Sequence, residues 1–380
     1  MPMQYRFFPR VPGLAISALG FGSVRLPTLG GDPTRIDEAG LARLLHQAIE
    51  AGVNYVDTGW SYFGGQSERC LGRALRGGWR ERVRLATQAP AGLLASEGAA
   101  EGQLSGQLER LGTDRVDFYL LEGLTREGLG LLERQGGLAA LERARSQGRI
   151  GHLGFACSGS RHEFEGLVDA RDWDLCQVPL NFLDSENQIG PEGLRHAAAR
   201  KVGVVVAEPL RGGALARAAP VVEEAWSLSD RPWSPAEWAL RWVWDRTEVV
   251  TALCGMRSEG HLSTNLGAAA AAGALSPPDL DRIEEVRRTY RTRRRVPCTS
   301  CGSCQLVCSK QIEVSNIFSL YNEAMFESKA AAAAEYRMAY LQLGHGADQC
   351  LDCGNCAPGC PKHIPVGERL AEAHAYLMSA

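Results

Sequence analysis

Residues 37–58 read DEAGLARLLHQAIEAGVNYVDT, and this stretch holds both patterns that recur along the chain. In its first part Leu41, Leu44, Leu45, Ala48 and Ile49 fall on one face at helical spacing. Gly52 then supplies a stop, because glycine takes the left-handed backbone that commonly ends a helix. The run VNYVDT (53–58) that follows is short and almost continuously apolar, as expected of a strand buried on both faces of a parallel sheet. A helix emptying into a buried strand is the repeating step of an alternating α/β fold.

Seven further runs of the same kind are LAISALGFG (14–22), VRLAT (83–87), VDFYLL (116–121), IGHLGFA (150–156), LCQVPL (175–180), VGVVVAE (202–208) and VVTALCG (249–255). Amphipathic stretches separate them. SPAEWALRWVW (234–244) opens on a capping pattern, with Ser234 as N-cap, Pro235 at the first helical position and Glu237 three residues on. Its Trp238 and Trp242 lie one turn apart and read as core packing; a ligand platform is the alternative. Eight strand–helix units predict a (β/α)8 barrel. An open doubly wound sheet is the lesser possibility, since GFGSVR (20–25) does not match the glycine fingerprint it would use for a dinucleotide. In a barrel, function gathers at the C-terminal ends of the strands. That directs attention to Asp57–Tyr62, Gln88, Glu122, Ala156–Ser158, Asn181, Glu208 and Gly255–Arg257.

The 380 residues are 45% apolar and 22% charged with a net charge of −3, the composition of an ordinary globular protein without a bulk basic signal for nucleic acid or membrane. No run reaches eighteen apolar residues, and MPMQYRFFPRVPG (1–13) has no signal-peptide core, so neither a membrane span nor a secretory leader is expected. Of twelve cysteines, Cys70, Cys157, Cys176 and Cys254 are scattered. The other eight form two runs, CTSCGSCQLVC (298–308) and CLDCGNCAPGCP (350–361). Both are C-x2-C-x2-C-x3-C, the spacing that holds iron–sulfur clusters, and such crowding of thiols favours a reducing cytoplasm. Three regions result: 1–275 as the barrel, 276–296 as a helical and basic linker, and 297–380 as a small mostly helical ferredoxin-like domain. The arginine-rich helix end in PPDLDRIEEVRRTYRTRRR (277–295) reads as solvated, or as a docking patch for an acidic electron donor.

Three segments carry a resemblance. VNYVDTGWSYFGGQSERCLGRAL (53–75) is similar to the second strand and helix of aldo-keto reductases. GVVVAEPLRGGAL (203–215) and ALCGMRSEGHLSTNLGAA (252–269) resemble the last two strands and cofactor phosphate loop of that family. With its cysteine domain the chain looks like the ferredoxin-fused branch. The resemblance implies a (β/α)8 barrel that moves hydride between NADPH and a small carbonyl substrate. Family catalysis uses Asp, Tyr, Lys and His. Asp57 and Tyr62 match, but Gln88 stands at the Lys position and Glu122 at the His position. For the cofactor, Gly255 begins the phosphate loop and Ser258 lies in it. Arg257 matches the residue that pairs the 2′-phosphate, Asn265 the adenine contact, and Gln177 and Asn181 residues near the nicotinamide.

The replacements change the chemistry expected. An ammonium about 4 Å from a phenol is worth roughly 4 kcal/mol at an effective dielectric of about 20, or about 3 pKa units. A neutral glutamine cannot supply that. A Glu122 held protonated can instead donate a hydrogen bond to an oxygen gaining charge. A related His-to-Glu change occurs in the family's double-bond reductases, which keep Lys. The expectation is an atypical oxidoreductase that reduces a conjugated double bond or performs proton-transfer chemistry. The alternative is a catalytically silent barrel carrying an electron-transfer module to a partner protein. The helical insert between the cysteine runs is similar to two-cluster ferredoxins, which implies crossed ligation. Cys298, Cys301, Cys304 and Cys360 then hold one [4Fe–4S] cluster, and Cys350, Cys353, Cys356 and Cys308 the other; zinc or an empty scaffold is the alternative. Hydride carries two electrons and a cluster one, so direct coupling wants a flavin, for which no sequence motif is present.

Overall fold

The structure is a computed structural model that describes residues 2–32, 34–186, 189–217, 220–271, 273, 275–299, 302–324 and 328–379. Ten strands are assigned among them: β1 (Tyr5–Phe7), β2 (Ala15–Ser17), β3 (Leu19–Gly22), β4 (Tyr55–Asp57), β5 (Arg84–Pro90), β6 (Val116–Glu122), β7 (Ile150–Ala156), β8 (Leu175–Pro179), β9 (Gly203–Ala207) and β10 (Val249–Cys254). The helices are α1 (Glu38–Glu50), α2 (Gln66–Ala74), α3 (Glu97–Leu111), α4 (Arg126–Gln135), α5 (Gly137–Ser146), α6 (Arg161–Ala170), α7 (Gly190–Ala199), α8 (Pro220–Ser227), α9 (Pro235–Trp244), α10 (Glu259–Ala270), α11 (Pro277–Arg293), α12 (Ser303–Leu306), α13 (Val314–Glu323), α14 (Lys329–Tyr336) and α15 (Val366–Met378).

Strands β3 to β10 close in sequence order into an eight-stranded barrel whose neighbours are all parallel. The (β/α)8 architecture is therefore the one the alternating pattern predicts. The five apolar positions of α1 are all buried, Asp37 caps its first turn by accepting from the Gly40 amide, and Gly52 follows at φ +100°. Burying each Leu or Ile of that face is worth about 1.5–3 kcal/mol, so the amphipathic stripe fixes which side of the helix meets the strands. Helix α9 begins at Pro235, and Trp238 and Trp242 are buried, with the Arg246 guanidinium 4.0 Å above the Trp242 ring.

One apolar run divides. LAISALGFG supplies two strands: β2 pairs antiparallel with β1, whereas β3 joins the barrel. The break is at Ala18, whose amide donates to Gln4 while its carbonyl accepts from Ala252. The β1–β2 hairpin leads into Phe8, Val11 and Ile16, which share one apolar cluster with Tyr55, Phe118, Leu175 and Val205. Phe8 lies so close over β9 that a Cβ on Gly203 would come within 2.0 Å of its ring, so only glycine fits there.

The chain separates into two compact units, residues 1–212 with 236–275, and residues 213–235 with 276–380. Segment 213–235 belongs to the second because α8 packs on α11. Arg282 donates to the Ala225 carbonyl, and Arg231 makes a two-pronged pair with Asp279 at 2.9 and 3.0 Å. Stretch 276–296, expected as a helical and basic linker, holds α11, which packs on α8. In the same unit α13, α14 and α15 surround a core that includes Ile317, Phe318, Tyr336, Leu370 and Leu377, with Cys304 inside it. No helix of the described residues is long and apolar enough to cross a membrane.

Candidate functional site

Barrel register gathers the polar residues of the strands at one end. Asp57 ends β4 opposite Ala86 of β5, and two residues further Gln88 lies opposite Leu120. Pro90 then pairs with Glu122, Glu122 with Ala156, and Ala156 with Gln177. The chain leaves β4 through a turn in which the Thr58 amide donates to Ala86 and the Trp60 amide to Gln88. Gly59 is the close point of this turn: a Cβ there would stand 3.0 Å from both Gln88 Cγ and the Tyr62 ring. Its absence lets Tyr62 fold back over Gln88, whose side-chain amide donates to the Tyr62 hydroxyl. Behind Gln88, Gln107 Nε2 donates to the Gln88 carbonyl and to Glu68, and Glu68 also accepts from Thr87 and Arg110. This network, which no local motif announces, fixes the end of β5.

The site is short of positive charge. Asp57 is 1% exposed, and its Oδ1 has no hydrogen-bond partner among the described residues. Burial, then the nearby Glu122, pushes its carboxyl well above the usual range. Glu122 is half-buried, its Oε2 is also without a partner, and burial pushes it up too. Tyr62 is raised by burial first, then by Asp57, Glu122 and Glu208. Among the described residues, the charged groups that act on Tyr62 are all carboxyls and none is a cation. Glu208, one of the strand-end residues singled out from the sequence, lies exposed just past β9 with φ +52° and is one of them.

The residues expected near a nucleotide fall into two groups. Gln177 is 6% exposed and its buried Oε1 has no partner among the described residues, so it is suited to accept from an amide N–H2 donor. Asn181 is fully buried and committed to its own turn: its Oδ1 accepts from the Leu183 and Asp184 amides, and its Nδ2 donates to Asp184. Gly255 leads into Arg257, exposed, and Ser258, which caps α10 by accepting from the His261 amide. Asn265 is buried one face further along that helix. Sequence reading missed Arg25. A Cβ on Gly255 would meet its Cβ at 2.9 Å, and a Cβ on Gly212 would meet its guanidinium at 2.6 Å. An exposed arginine thus lies between two glycine turns beside the amino end of a twelve-residue helix, which is a setting for phosphate.

In the second unit Cys308 comes together with the second cysteine run. Cys304, Cys308, Cys350, Cys353 and Cys356 line one cavity, with Val307, Ile312, Leu351 and Leu370 among its walls. The Cys356 thiol is raised by burial and then by Cys350, Cys308 and Cys353, which puts these three within electrostatic reach of Cys356. Cys304 is buried, Cys298 and Cys360 are partly buried, and Cys360 Sγ accepts from the Ile364 amide. Cys301 lies outside the described residues. Among the described residues no three His, Cys, Asp or Glu side chains converge on a single metal ion. Tetrahedral zinc would draw thiolates to within about 3.8 Å of each other, from Zn–S bonds of about 2.3 Å. An iron–sulfur cubane, which spreads its cysteines over separate iron corners, suits a thiol-lined cavity better. The scattered Cys157, Cys176 and Cys254 are buried, and burial raises each thiol.

Comparison with known proteins agrees with both halves. Residues 18–288 match the aldo/keto reductase family, and residues 294–364 match a 4Fe-4S dicluster domain. A curated relative, D-threo-aldose 1-dehydrogenase from a Pseudomonas species, is 27% identical over 269 residues, covering 64% of this chain and 78% of its own. An aldo-keto reductase from Bacillus halodurans in its holo form superposes with a TM-score of 0.63 at 23% identity, over 75% of this chain and 96% of its own. One from Klebsiella pneumoniae in complex with NADPH gives 0.63 at 22% identity, over 76% and 96%. The matched region spans most of the chain, and its barrel, strand order and added cysteine domain agree with the match: this protein belongs to the aldo/keto reductase family and is an oxidoreductase carrying a 4Fe-4S domain.

Proposed function

We propose that the barrel is an NADPH-dependent reductase of a conjugated double bond, with Glu122 as the proton-donating group. The observation that carries this reading is the Glu122 carboxyl: half-buried, raised by burial, and with an oxygen that meets no partner among the described residues. A carboxyl held neutral in such a place donates to an atom gaining electron density. Tyr62 keeps its own proton while accepting from Gln88, so it serves as a second, much weaker donor. The nucleotide supplies hydride when bound, as the NADPH in the Klebsiella pneumoniae relative suggests. Gln177 is suited to hold its carboxamide, Gly255, Ser258 and the amino end of α10 its phosphate, and Arg257 with Arg25 the remaining charge, while Asn265 lines the adenine end. Asn181 shapes the turn beside Gln177.

The second unit, in this reading, holds two [4Fe–4S] clusters. Cys308, Cys350, Cys353 and Cys356 bind one; Cys298, Cys301, Cys304 and Cys360 bind the other. The cavity that Cys308 shares with Cys350, Cys353 and Cys356 supports crossed ligation, and Cys304 of the other set also lines it. The clusters exchange single electrons with a partner protein.

Glu122→Gln keeps the shape and removes the acidic proton. Turnover of an enone panel with NADPH should fall about 10²–10⁴-fold, the usual worth of general acid catalysis. A Glu122→Gln protein as active as the parent on every substrate it reduces overturns the role. A parent protein that oxidises NADPH with no carbonyl or enone leaves the silent barrel as the better account.

A further inference from the structure

The acid-lined mouth of the barrel carries a statement about what it binds. Asp57 Oδ1 and Glu122 Oε2 are buried acceptor atoms with no partner among the described residues, and Asp57 is 1% exposed. Gln88 Nε2 donates to the Tyr62 hydroxyl. Glu208 stands exposed at the end of β9 and acts on the same Tyr62. Among the described residues, three carboxyl groups act on this hydroxyl and no cation does. A buried polar atom left without a partner costs free energy that a bound donor removes. A ligand that ends in a carbonyl oxygen can accept from a carboxyl held neutral, but it brings no donor to Asp57 Oδ1 or Glu122 Oε2. One that ends in a protonated nitrogen brings both the missing N–H donors and the missing charge.

We propose that the double bond reduced at this site ends in a basic nitrogen, so that the substrate is an imine bound as its iminium ion against Glu122, in the field of Asp57 and Glu208. This rests on the reductase reading above and names its substrate class. The Glu122 carboxyl gives its proton to the imine nitrogen and becomes a carboxylate paired with the iminium. Hydride from the reduced nicotinamide adds to the iminium carbon, the C=N π pair becomes the nitrogen lone pair, and the product is a secondary amine. Solvent returns one proton to Glu122. One imine, one reduced nicotinamide and one proton give one amine and one oxidised nicotinamide.

Two ring compounds of nearly equal shape separate charge from size: piperidine, which is protonated near neutral pH, and cyclohexanone. Calorimetry on the full-length protein, with and without NADP, should show piperidinium binding at least about tenfold tighter. Repeating it in buffers of different ionisation enthalpy should show protons released when piperidinium binds, because the cation drives Glu122 to ionise. Glu122→Gln should abolish the proton release and most of the preference. Glu208→Gln, at an exposed position, should weaken piperidinium binding a few-fold while leaving cyclohexanone unchanged, and it serves if Glu122→Gln fails to fold. The cyclic imine of piperidine should be reduced with a kcat/KM well above that for cyclohexanone. Cyclohexanone binding as tightly as piperidinium, or proton release that survives Glu122→Gln, overturns the inference. If an enone is turned over but piperidinium is not preferred, the substrate class is wrong and the reductase reading stands. If no nicotinamide nucleotide binds, the reductase reading falls, and piperidinium binding still decides whether the mouth takes cations.

Discussion

The side-chain amide of Gln88 donates its hydrogen bond to the hydroxyl of Tyr62, and the buried Asp57 keeps an oxygen without a partner among the described residues. An amide in that position ties the phenol down without lowering its pKa. Burial and the surrounding carboxylates are left to raise it. The pair thus favours retaining the tyrosine proton, and Glu122 becomes the more acidic donor of the site.

Restoring a cation should reverse this. In Gln88→Lys the ammonium lies about 4 Å from the phenol and is worth roughly 3 pKa units at an effective dielectric of about 20. The Tyr62 titration, read from tyrosinate absorbance against a Tyr62→Phe control, should move down by one to three units. Combined with Glu122→His, the change should bring measurable aldehyde reduction. An unmoved titration would mean that position 88 does not control Tyr62.

Asp57 gives the stability of the barrel a definite pH dependence. Its folded pKa is raised, so the folded state binds the proton more tightly than the unfolded chain does. The stability linked to that proton is complete below the unfolded value of about 3.9 and is lost as pH rises towards the folded value. Asp57→Asn should therefore melt higher than the parent at pH 8. A gain of about 1 kcal/mol would appear as roughly 2–4 °C, and the gap should close towards pH 4. A melting difference independent of pH would show that Asp57 is not held neutral.

The thiol-lined cavity makes an elemental prediction. Protein purified without oxygen should contain about eight iron and eight sulfide per chain, four of each for every C-x2-C-x2-C run with its exchanged partner. Cys308→Ser and Cys353→Ser should each remove about four iron and leave the same remaining cluster spectrum, because both side chains line one cavity. Cys157→Ser should leave the iron content unchanged, since that thiol is buried in the other unit. Different residual spectra for Cys308→Ser and Cys353→Ser would rule out crossed ligation.

NADPH should bind more tightly than NADH through Arg257. A charge-assisted contact is worth roughly 1.5–3 kcal/mol, or about 10- to 100-fold. Arg257→Ala should remove most of that preference. Arg25→Ala should weaken both nucleotides alike, because a guanidinium between the Gly212 and Gly255 turns is placed for a phosphate common to both. Tryptophan fluorescence titration reads both. Equal affinity for the two nucleotides in the parent protein would remove Arg257 from the account.

Local patterns determined the parts of this protein whose physics is local. The period of apolar residues set α1 and its buried face. Continuous apolar runs marked the barrel strands, because a strand covered on both sides has no polar face to show. The D-x4-Y spacing placed Asp57 and Tyr62 in one loop, and cysteine spacing announced the cluster domain. Tertiary structure decided everything that depends on partners distant in the chain. LAISALGFG divides at Ala18 because Gln4 and Ala252 claim its amide and carbonyl, a competition no short window contains. Segment 213–235 joins the second unit because Arg231 and Ala225 find Asp279 and Arg282 about fifty residues away. The shortage of cations at Tyr62 follows from barrel register, which brings carboxylates of β4, β6 and the end of β9 together. Composition reports how many charges the chain has, but only the closed barrel determines which of them are buried beside each other.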